Sequence, residues 1–496
     1  MIQIVIKAKH LLHNRDYLGA ELTLPAGKGE ILDALDRARV PYGSGEYQLL
    51  SHKESPGFVA KMLNSCACNL PDRLGPSIAE MNHLAERMGS LELDELDKLS
   101  GIVQIRGSYD IVDIINATHN LNRFGFYPGV TNDEMLGELA VDMDDALYEP
   151  LKSVPDELLD CFDRGKIGVL MRKEDRGVFT KIGYAIQEST EWDVVYDGNS
   201  LSERSVKLEP GDPVVSLYLR RCDMPDEDFM DGQEALRLHC PANNTDIAAV
   251  LEKMGVGSLD ECFIQGASGL IPAFDHAFSF DADIEEINAL AGAIKTHCGG
   301  ERLAKYKAAY EMENVTDMQT ALRLAVRLDE YDFEPHSSTE AFGRAALAKT
   351  GMDVKLSGEY GFDFDAYGYK MMQEKNIRFS PYGFISHPRG QELSTQIKRG
   401  ISGLHMPETV RAIRDAYPPG TQVRLIRMEG EADMPRGLAG TVDHVDDAAG
   451  VHVRWENGSS LALLPDTDFF QTVPDQAAAQ EIQPMEKPFE QTMGGM

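Results

Sequence analysis

Two long stretches of this chain carry the same sequence blocks in the same order, and this repeat constrains the fold more than any other feature. Residues 24–40 align without a gap with residues 240–256, so that Pro25 falls on Pro241 and Val40 on Val256. The other matched blocks are 77–85 with 283–291, 108–116 with 316–324, 126–128 with 333–335, 137–140 with 343–346, and the segments that begin at Phe162 and Phe364. Several blocks place a capping residue before apolar residues at helical spacing, which predicts capped amphipathic helices.

The repeat predicts an α+β protein with two related modules, residues 1–190 and 213–386, in an elongated arrangement. The polar, turn-rich stretch 191–212 is predicted to be a linker. Residues 387–419 are predicted to form a basic connector with a helix from Pro407 to Ala416. Alternating apolar residues and a central Asn457-Gly458 turn predict a small SH3-like β-barrel at 420–473. Residues 474–496 lack periodicity and are predicted to be a disordered tail.

Acidic residues outnumber basic ones by 81 to 48, and the formal net charge is −33 at pH 7. Such a charge repels nucleic acid and anionic membranes, so we expect direct contact with neither. The same charge suits a protein that binds to a DNA-binding protein in place of DNA. The alternative interpretation is that the charge only keeps the protein in solution. No apolar run is long enough to span a membrane, and the opening stretch predicts a strand rather than a signal peptide. Seven cysteines without a CxxC pair predict free thiols in a cytoplasmic protein.

The sequence contains no recognised catalytic motif. HExxH, the P-loop pattern, GxSxG and a Rossmann glycine fingerprint before a helix are all absent. The thirteen histidines are scattered and show no ligand spacing with a second His or Cys. We therefore predict that the protein is not an enzyme and has no metal or cofactor.

The acidic residues are clustered along the chain. The first cluster lies between Thr131 and Asp163, the second between Asp223 and Glu234, and two smaller ones at 281–286 and 329–334. Like charges this close repel one another, so a fold that keeps several such clusters has a possible use for them. Solvated helix faces explain any single cluster equally well.

Each repeat resembles the ArdA antirestriction proteins of plasmids, transposons and phages. The resemblance runs through Gly19-Ala20, Thr23-Leu-Pro25, the Ile-x-Glu-(Met/Ile)-Asn-x-Leu-Ala helices at 78–85 and 284–291, Tyr-Gly-Tyr at 367–369 and Tyr382-Gly-Phe384. It covers most of residues 1–386, and its specificity lies in the order of the blocks. The copies depart from each other where one has Arg164-Gly-Lys166 and the other Ala366-Tyr-Gly368. The C-terminal part resembles a small uncharacterised domain of mobile-element proteins, through Gly-Thr-Val at 440–442 and Trp-x-Asn-Gly-Ser at 455–459.

The ArdA resemblance implies a DNA mimic, because ArdA proteins are similar to bent B-DNA in shape and charge. They occupy the DNA groove of type I restriction-modification enzymes, chiefly the methyltransferase core, usually as dimers. It implies an antirestriction inhibitor in the host cytoplasm and a possible homodimer, with carboxylates in place of phosphates. The residues we predict to mimic phosphates are Asp133, Glu134, Glu138, Asp142, Asp144, Asp145, Glu149, Asp223, Asp226, Glu227, Asp228, Asp231, Glu234, Asp329, Glu330 and Asp332.

Two other functions are consistent with the same sequence. The first is an acidic interaction or scaffold protein of a mobile genetic element, in which acid serves solubility and the C-terminal barrel recruits a partner. The second is a hydrolase whose site carries none of the known motifs. Competition with duplex DNA for a DNA-binding enzyme distinguishes the mimic from the scaffold, and metal- or cofactor-dependent turnover would favour the hydrolase.

Overall fold

Helices and small antiparallel sheets alternate along the chain and confirm the predicted α+β class. The computed structural model describes residues 1–14, 16–68, 75–142, 149–222, 236–279, 281–387 and 407–473. The chain divides into two compact units, Met1–Lys207 (unit 1) and Leu208–Met496 (unit 2). Among the described residues, no helix combines the length and the apolar character that crossing a membrane requires.

Unit 1 contains six strands and eight helices in its described residues. The strands are β1 (Ile2–Ala8), β2 (Ala20–Leu24), β3 (Tyr47–Ser51), β4 (Phe124–Pro128), β5 (Val178–Phe179) and β6 (Gly183–Gln187). The helices are α1 (Lys28–Arg37), α2 (Gly57–Cys68), α3 (Ile78–Gly89), α4 (Leu93–Arg106), α5 (Ile111–His119), α6 (Asp133–Asp142), α7 (Asp156–Leu159) and α8 (Arg164–Asp175).

The first sheet of unit 1 has the order β2-β1-β3, and all its pairs are antiparallel. Alternation along β1 sends Ile2, Ile4 and Ile6 to one face, where they are fully buried. These residues form one core with apolar residues of α1 to α5. Ser77 caps α3: its side chain accepts a hydrogen bond from the Glu80 amide, and the Glu80 carboxylate accepts one from the Ser77 amide.

Residues 124–187 of unit 1 form a second lobe with its own apolar cluster. Its sheet has the order β4-β6-β5, and α6 and α8 pack beside it. The buried residues of the cluster are Val130, Leu136, Ala140, Leu151, Ile167, Met171 and Tyr184. Because this cluster is small, the placement of the two helices depends strongly on how they contact each other.

The first part of the predicted linker lies along unit 1. Tyr196 is buried, and its hydroxyl donates a hydrogen bond to Glu80 Oε1 at 2.9 Å. The Asn116 side chain accepts hydrogen bonds from the amides of Val195 and Tyr196 at 2.8 and 2.9 Å. Residues 193–201 therefore form an ordered strap on the helices of unit 1.

Unit 2 repeats this element order before its C-terminal part, except that a short 3-10 helix, Pro272–His276, stands where unit 1 has α2. Its strands are β7 (Val215–Arg221), β8 (Leu236–Cys240), β9 (Cys262–Gly269), β10 (Asp332–Glu334), β11 (Arg378–Ser380) and β12 (Gly383–Ser386). Its helices are α9 (Asn244–Met254), α10 (Ile284–Cys298), α11 (Arg302–Glu313), α12 (Met318–Val326), α13 (Thr339–Ala348), α14 (Val354–Glu359) and α15 (Phe364–Lys375). The sheet orders β8-β7-β9 and β10-β12-β11 match the two sheets of unit 1.

One polar contact recurs at equivalent places in the two units. The Asn82 side chain of α3 accepts a hydrogen bond from the Ala26 amide at 2.7 Å. The Asn288 side chain of α10 accepts one from the Ala242 amide at 2.6 Å and donates one to the Ala242 carbonyl at 2.9 Å. The Asn of the repeated helical block thus fixes the chain between the second strand and the first helix of each module.

The C-terminal domain, residues 407–473, consists of one helix and one sheet. The helix α16 (Pro407–Ala416) occupies the range predicted for it. The strands are β13 (Gln422–Arg427), β14 (Ala439–Val445), β15 (Val451–Trp455), β16 (Ala462–Leu463) and β17 (Phe469–Val473). The sheet order is β16-β15-β14-β13-β17, and in the described chain its two edge strands, β16 and β17, are not paired with each other. The predicted closed barrel is therefore wrong: β16 has only two residues, and the sheet stays open.

Candidate interaction surface on the paired helices

Two glycines bring α6 and α8 into backbone contact. A Cβ on Gly137 would lie 1.8 Å from the carbonyl oxygen of Arg164, and one on Gly168 would lie 1.8 Å from the carbonyl oxygen of Asp133. The start of α8 therefore lies against the middle of α6, and the middle of α8 against the start of α6, so the helices are antiparallel. No side chain fits at either crossing point, and the sequence GELA at 137–140 is explained by this contact.

An ion pair joins the same two helices. Arg172 of α8 donates to both carboxylate oxygens of Asp133 at 2.7 and 3.1 Å. The hydrogen bond to Asp133 raises the pKa of the Arg172 guanidinium above its ordinary value. Asp133, predicted to mimic a phosphate, therefore has a cation of its own unit as its partner.

The next acidic residues of α6 point into solvent. Glu134 and Glu138 are exposed and lie one helical turn apart, at the i and i+4 positions. Neither forms an ion pair with a residue in the described ranges. The helix holds these two negative charges close together on one face, and their repulsion slightly destabilises it.

Large apolar side chains are exposed on this lobe as well. Met135, Leu158, Phe162 and Leu170 are all between 41 and 53% exposed. Near them, Asp160 pairs with Arg164 at 3.3 Å, and Asp163 caps α8 and lies 3.7 Å from Lys166. Large exposed apolar groups with charged residues around them are typical of a surface that contacts a protein rather than of a surface that only keeps a protein in solution. The term helix-pair surface is used below for Glu134, Met135, Glu138, Leu158, Phe162 and Leu170.

The equivalent lobe of unit 2 has the same contact but a different charge. A Cβ on Gly343 would lie 2.0 Å from the carbonyl oxygen of Phe364, and one on Gly368 would lie 2.4 Å from that of Thr339. Residues 131–175 contain thirteen acidic and five basic residues, whereas residues 338–375 contain six and five. The acid therefore belongs to one copy of this lobe and is not a requirement of the fold.

Several of the predicted phosphate mimics lie outside the described residues. Asp142 ends α6, and Asp144 and Asp145 lie outside the described residues. The whole second cluster (Asp223, Asp226, Glu227, Asp228, Asp231 and Glu234) also lies outside them. Glu149 is exposed and pairs with Lys152 three residues later.

The predicted residues 329, 330 and 332 occupy three different environments. Asp329 pairs with Arg302 at 2.8 Å. Glu330 is 1% exposed and accepts two hydrogen bonds from Arg327 at 2.9 Å, with His387 at 3.6 Å. Burial alone raises the pKa of the Glu330 carboxyl, but the bonds from His387 and Arg327 outweigh it and lower that pKa. Only Asp332 is exposed.

Arginines of the C-terminal domain occupy the third acidic cluster. Arg436 donates to both oxygens of Asp283 at 2.7 and 2.8 Å and also contacts Glu285. Arg424 lies 2.9 Å from Glu285, and Arg427 lies 2.5 Å from Glu286. The acid at 283–286 is therefore paired inside unit 2.

The C-terminal domain is also the part of the chain with a match among protein families. Residues 406–473 match the model of a domain of unknown function, DUF4314. The match includes α16 as well as the sheet, so the DUF4314 domain begins before the strands that the sequence predicts as a separate barrel. No curated protein matches the chain.

Sequence reasoning missed two features of the candidate surface. It placed Asp133 among the phosphate mimics, although Arg172, thirty-nine residues away, holds it. It also gave no role to the exposed apolar residues. The helix contact that brings Arg172 to Asp133 had a signal in the sequence: Gly137 and Gly168 sit inside helices, where glycine is unfavourable unless a close contact requires it.

Proposed function

We propose that this protein is an antirestriction inhibitor that mimics DNA and occupies the DNA-binding groove of a type I restriction-modification enzyme. The observation that supports the proposal most directly is the helix-pair surface, where Glu134 and Glu138 are exposed and unpaired among the described residues while thirteen acids gather in 131–175. Carboxylates held by rigid helices can accept hydrogen bonds from the Arg and Lys residues that normally hold phosphates.

The distribution of the acid supports this function over simple solubility. A solubilising charge has no need to differ between two copies of one lobe, yet 131–175 is strongly acidic and 338–375 is nearly neutral. The acids at 283–286 are paired with arginines, whereas those of the helix-pair surface are not. The exposed Phe162 and Leu170 add apolar area, which a groove-filling inhibitor needs and a solubilising patch does not.

A second candidate function is an interaction protein that does not imitate DNA. The lobe of unit 2 favours it, because Tyr360, Tyr369 and Phe379 are 84, 54 and 52% exposed on a nearly neutral surface. Exposed aromatic residues are typical of protein contacts that do not depend on charge.

The test is a competition assay in which the protein displaces duplex DNA from the methyltransferase core of type I enzymes. Displacement is measured by fluorescence anisotropy at about 50 and 200 mM salt. The variant E134K/E138K is compared with E359K/D365K, which changes the net charge equally on the lobe of unit 2. We expect E134K/E138K to weaken inhibition by about tenfold. The slope of log affinity against log salt concentration should also fall by about two. The control should behave like the wild type. Failure of the wild-type protein to displace DNA from any type I methyltransferase at low salt would refute the proposal.

A further inference from the structure

A groove on unit 1 holds the strap that follows the module. The first turn of α3 and one face of α5 form this groove, and residues 193–201 fill it. Ser77 Oγ donates to the Leu201 carbonyl at 2.9 Å, and Glu80 accepts from the Tyr196 hydroxyl at 2.9 Å. Asn120 exchanges two hydrogen bonds with the backbone of Asp193, both at 2.9 Å. The groove is thus closed by short hydrogen bonds that are buried or partly buried.

The equivalent groove of unit 2 holds the C-terminal domain instead. Asp283 and Glu286 stand where Ser77 and Glu80 stand in unit 1, at the cap and the third residue of the helix. Arg436 binds Asp283, and Arg427 binds Glu286. The same two helix positions are therefore covered in both units, by neutral groups in one and by arginines in the other.

The second wall of the groove shows the same replacement. Asn116 of α5 and Asn120 directly after it lie six and ten residues beyond the cap Asp110. Arg323 of α12 and Arg327 directly after it lie six and ten residues beyond the cap Asp317, so the two pairs correspond. Gln319 donates to the Thr467 carbonyl at 2.8 Å, and Arg323 donates to the Asp466 carbonyl at 3.4 Å. The loop at 465–468 thus takes the place that the strap has in unit 1.

The seam under the C-terminal domain is incompletely filled. A cavity of about 320 Å³ lies between α10 and β17, with Asn288, Gly292, Tyr417 and Phe470 in its lining. Two buried donors on this seam, Arg424 Nε and Gln471 Nε2, have no partner among the described residues. The cavity is open to solvent, so the seam is packed less tightly there than a protein interior.

The arginines that hold the seam remain partly exposed. The side chains of Arg424, Arg427 and Arg436 are 23, 39 and 41% exposed. Ion pairs in contact with water contribute little to the free energy of folding, and salt screens them. A competing partner that brings its own arginines can therefore replace these three.

We propose that the C-terminal domain is an autoinhibitory cap, whose arginines occupy a carboxylate surface on α10 that an arginine-rich protein partner binds when the cap is displaced. The proposal rests on the proposed function and extends it, because the partner chemistry is the same: clustered guanidinium groups that recognise carboxylates. Displacement exposes Asp283, Glu285 and Glu286 together.

The test uses the full chain with three arginines reversed, R424E/R427E/R436E. The control R411E/R414E/R454E changes the net charge equally on the same domain but leaves the ion pairs with Asp283, Glu285 and Glu286 intact. Opening of the cap is measured by amide hydrogen exchange of peptides at 283–290, 317–327 and 464–468. Access to the surface is measured by binding of a nona-arginine peptide, which needs no knowledge of the natural target. Inhibition of a type I methyltransferase is measured in parallel. A swap variant, E286R/R427E, provides a re-formed ion pair.

We expect faster exchange in the three peptides and about fivefold tighter nona-arginine binding for R424E/R427E/R436E than for the charge-matched control. The swap variant should keep the exchange protection of the wild type. Unchanged exchange in R424E/R427E/R436E would show that Tyr417 and the sheet hold the domain without the arginines, and would overturn the cap. Faster exchange with nona-arginine binding equal to the control would also overturn it. If no variant inhibits a methyltransferase but exchange and peptide binding change as expected, the cap stands and the proposed function fails.

Discussion

Replacing Gly137 by alanine should loosen the lobe that carries the helix-pair surface. The added Cβ would lie 1.8 Å from the Arg164 carbonyl oxygen. An ordinary contact needs about 3.4 Å, so the two helices must separate by roughly 1.5 Å at the crossing point. Both sides of the contact are backbone, so no side chain can move out of the way.

The magnitude follows from two opposing effects. Overpacking of a filled contact costs about 1–3 kcal/mol, and a backbone clash falls in the upper half of that range. Alanine gains about 1 kcal/mol of helix propensity over glycine. The net expectation is a local destabilisation of about 1–2 kcal/mol, concentrated in the lobe because its apolar cluster is separate from the main core of unit 1.

Gly165 provides a matched control on α8. The atom nearest to a Cβ added at Gly165 would be Asp163 Oδ1, at 3.4 Å, which is an ordinary contact distance. The G165A variant should therefore gain about 0.5–1 kcal/mol from helix propensity. Native-state amide exchange of α6 and α8 measures the free energy of local opening in both variants. Exchange in G137A as slow as in the wild type would show that the helices do not touch as described.

Three further changes follow from individual contacts. In the DNA competition assay, E134K/E138K should have a slope of log affinity against log salt concentration about two smaller than that of the control E359K/D365K. Asn288→Ala leaves the buried amide and carbonyl of Ala242 unsatisfied and should cost unit 2 about 2 kcal/mol by urea unfolding, whereas Asn82→Ala, at a less buried site, should cost about half as much. Burial raises the pKa of Asp468 to about 6, although its bonds from the Leu464 and Glu429 amides oppose this. Its proton therefore stabilises the C-terminal domain below about pH 4, and up to about 3 kcal/mol is lost as the pH rises through 6. D468N should flatten that pH dependence in thermal unfolding, and an unchanged slope would contradict the assignment to Asp468.

The order of the repeat could be predicted from sequence because capping residues and apolar spacing are local signals. The exact register could not. Sequence alignment pairs Ser108 with Thr316, but the helix caps that correspond are Asp110 and Asp317. It also pairs Phe162 with Phe364, although the equivalent caps are Asp163 and Asp363. Two phenylalanines two residues apart, Phe362 and Phe364, both resemble Phe162, and only the position of the helix start decides between them.

The pairing of the acidic residues could not be predicted for a different reason. Asp283 and Arg436 are separated by 153 residues, and nothing local to either one indicates the other. A run such as DADIEE at 281–286 has the same appearance in sequence whether it faces water or three arginines. Side-chain partners across such distances are set by which surfaces pack together, and that depends on the whole unit.

The two modules show how a duplicated fold can divide its tasks. The glycine contact that pairs the helices is kept in both lobes, at Gly137 with Gly168 and at Gly343 with Gly368, because the backbones cannot approach otherwise. The exposed residues are free of that constraint, and they differ: acid in one lobe, aromatic side chains in the other. The same holds for the groove, which keeps its position while its cover changes from a neutral strap to a charged domain. Packing therefore fixes what the copies share, and charge on the surface is what can change between them. Exposed positions such as Glu134 and Glu138 can therefore change without a loss of stability in the helices that carry them.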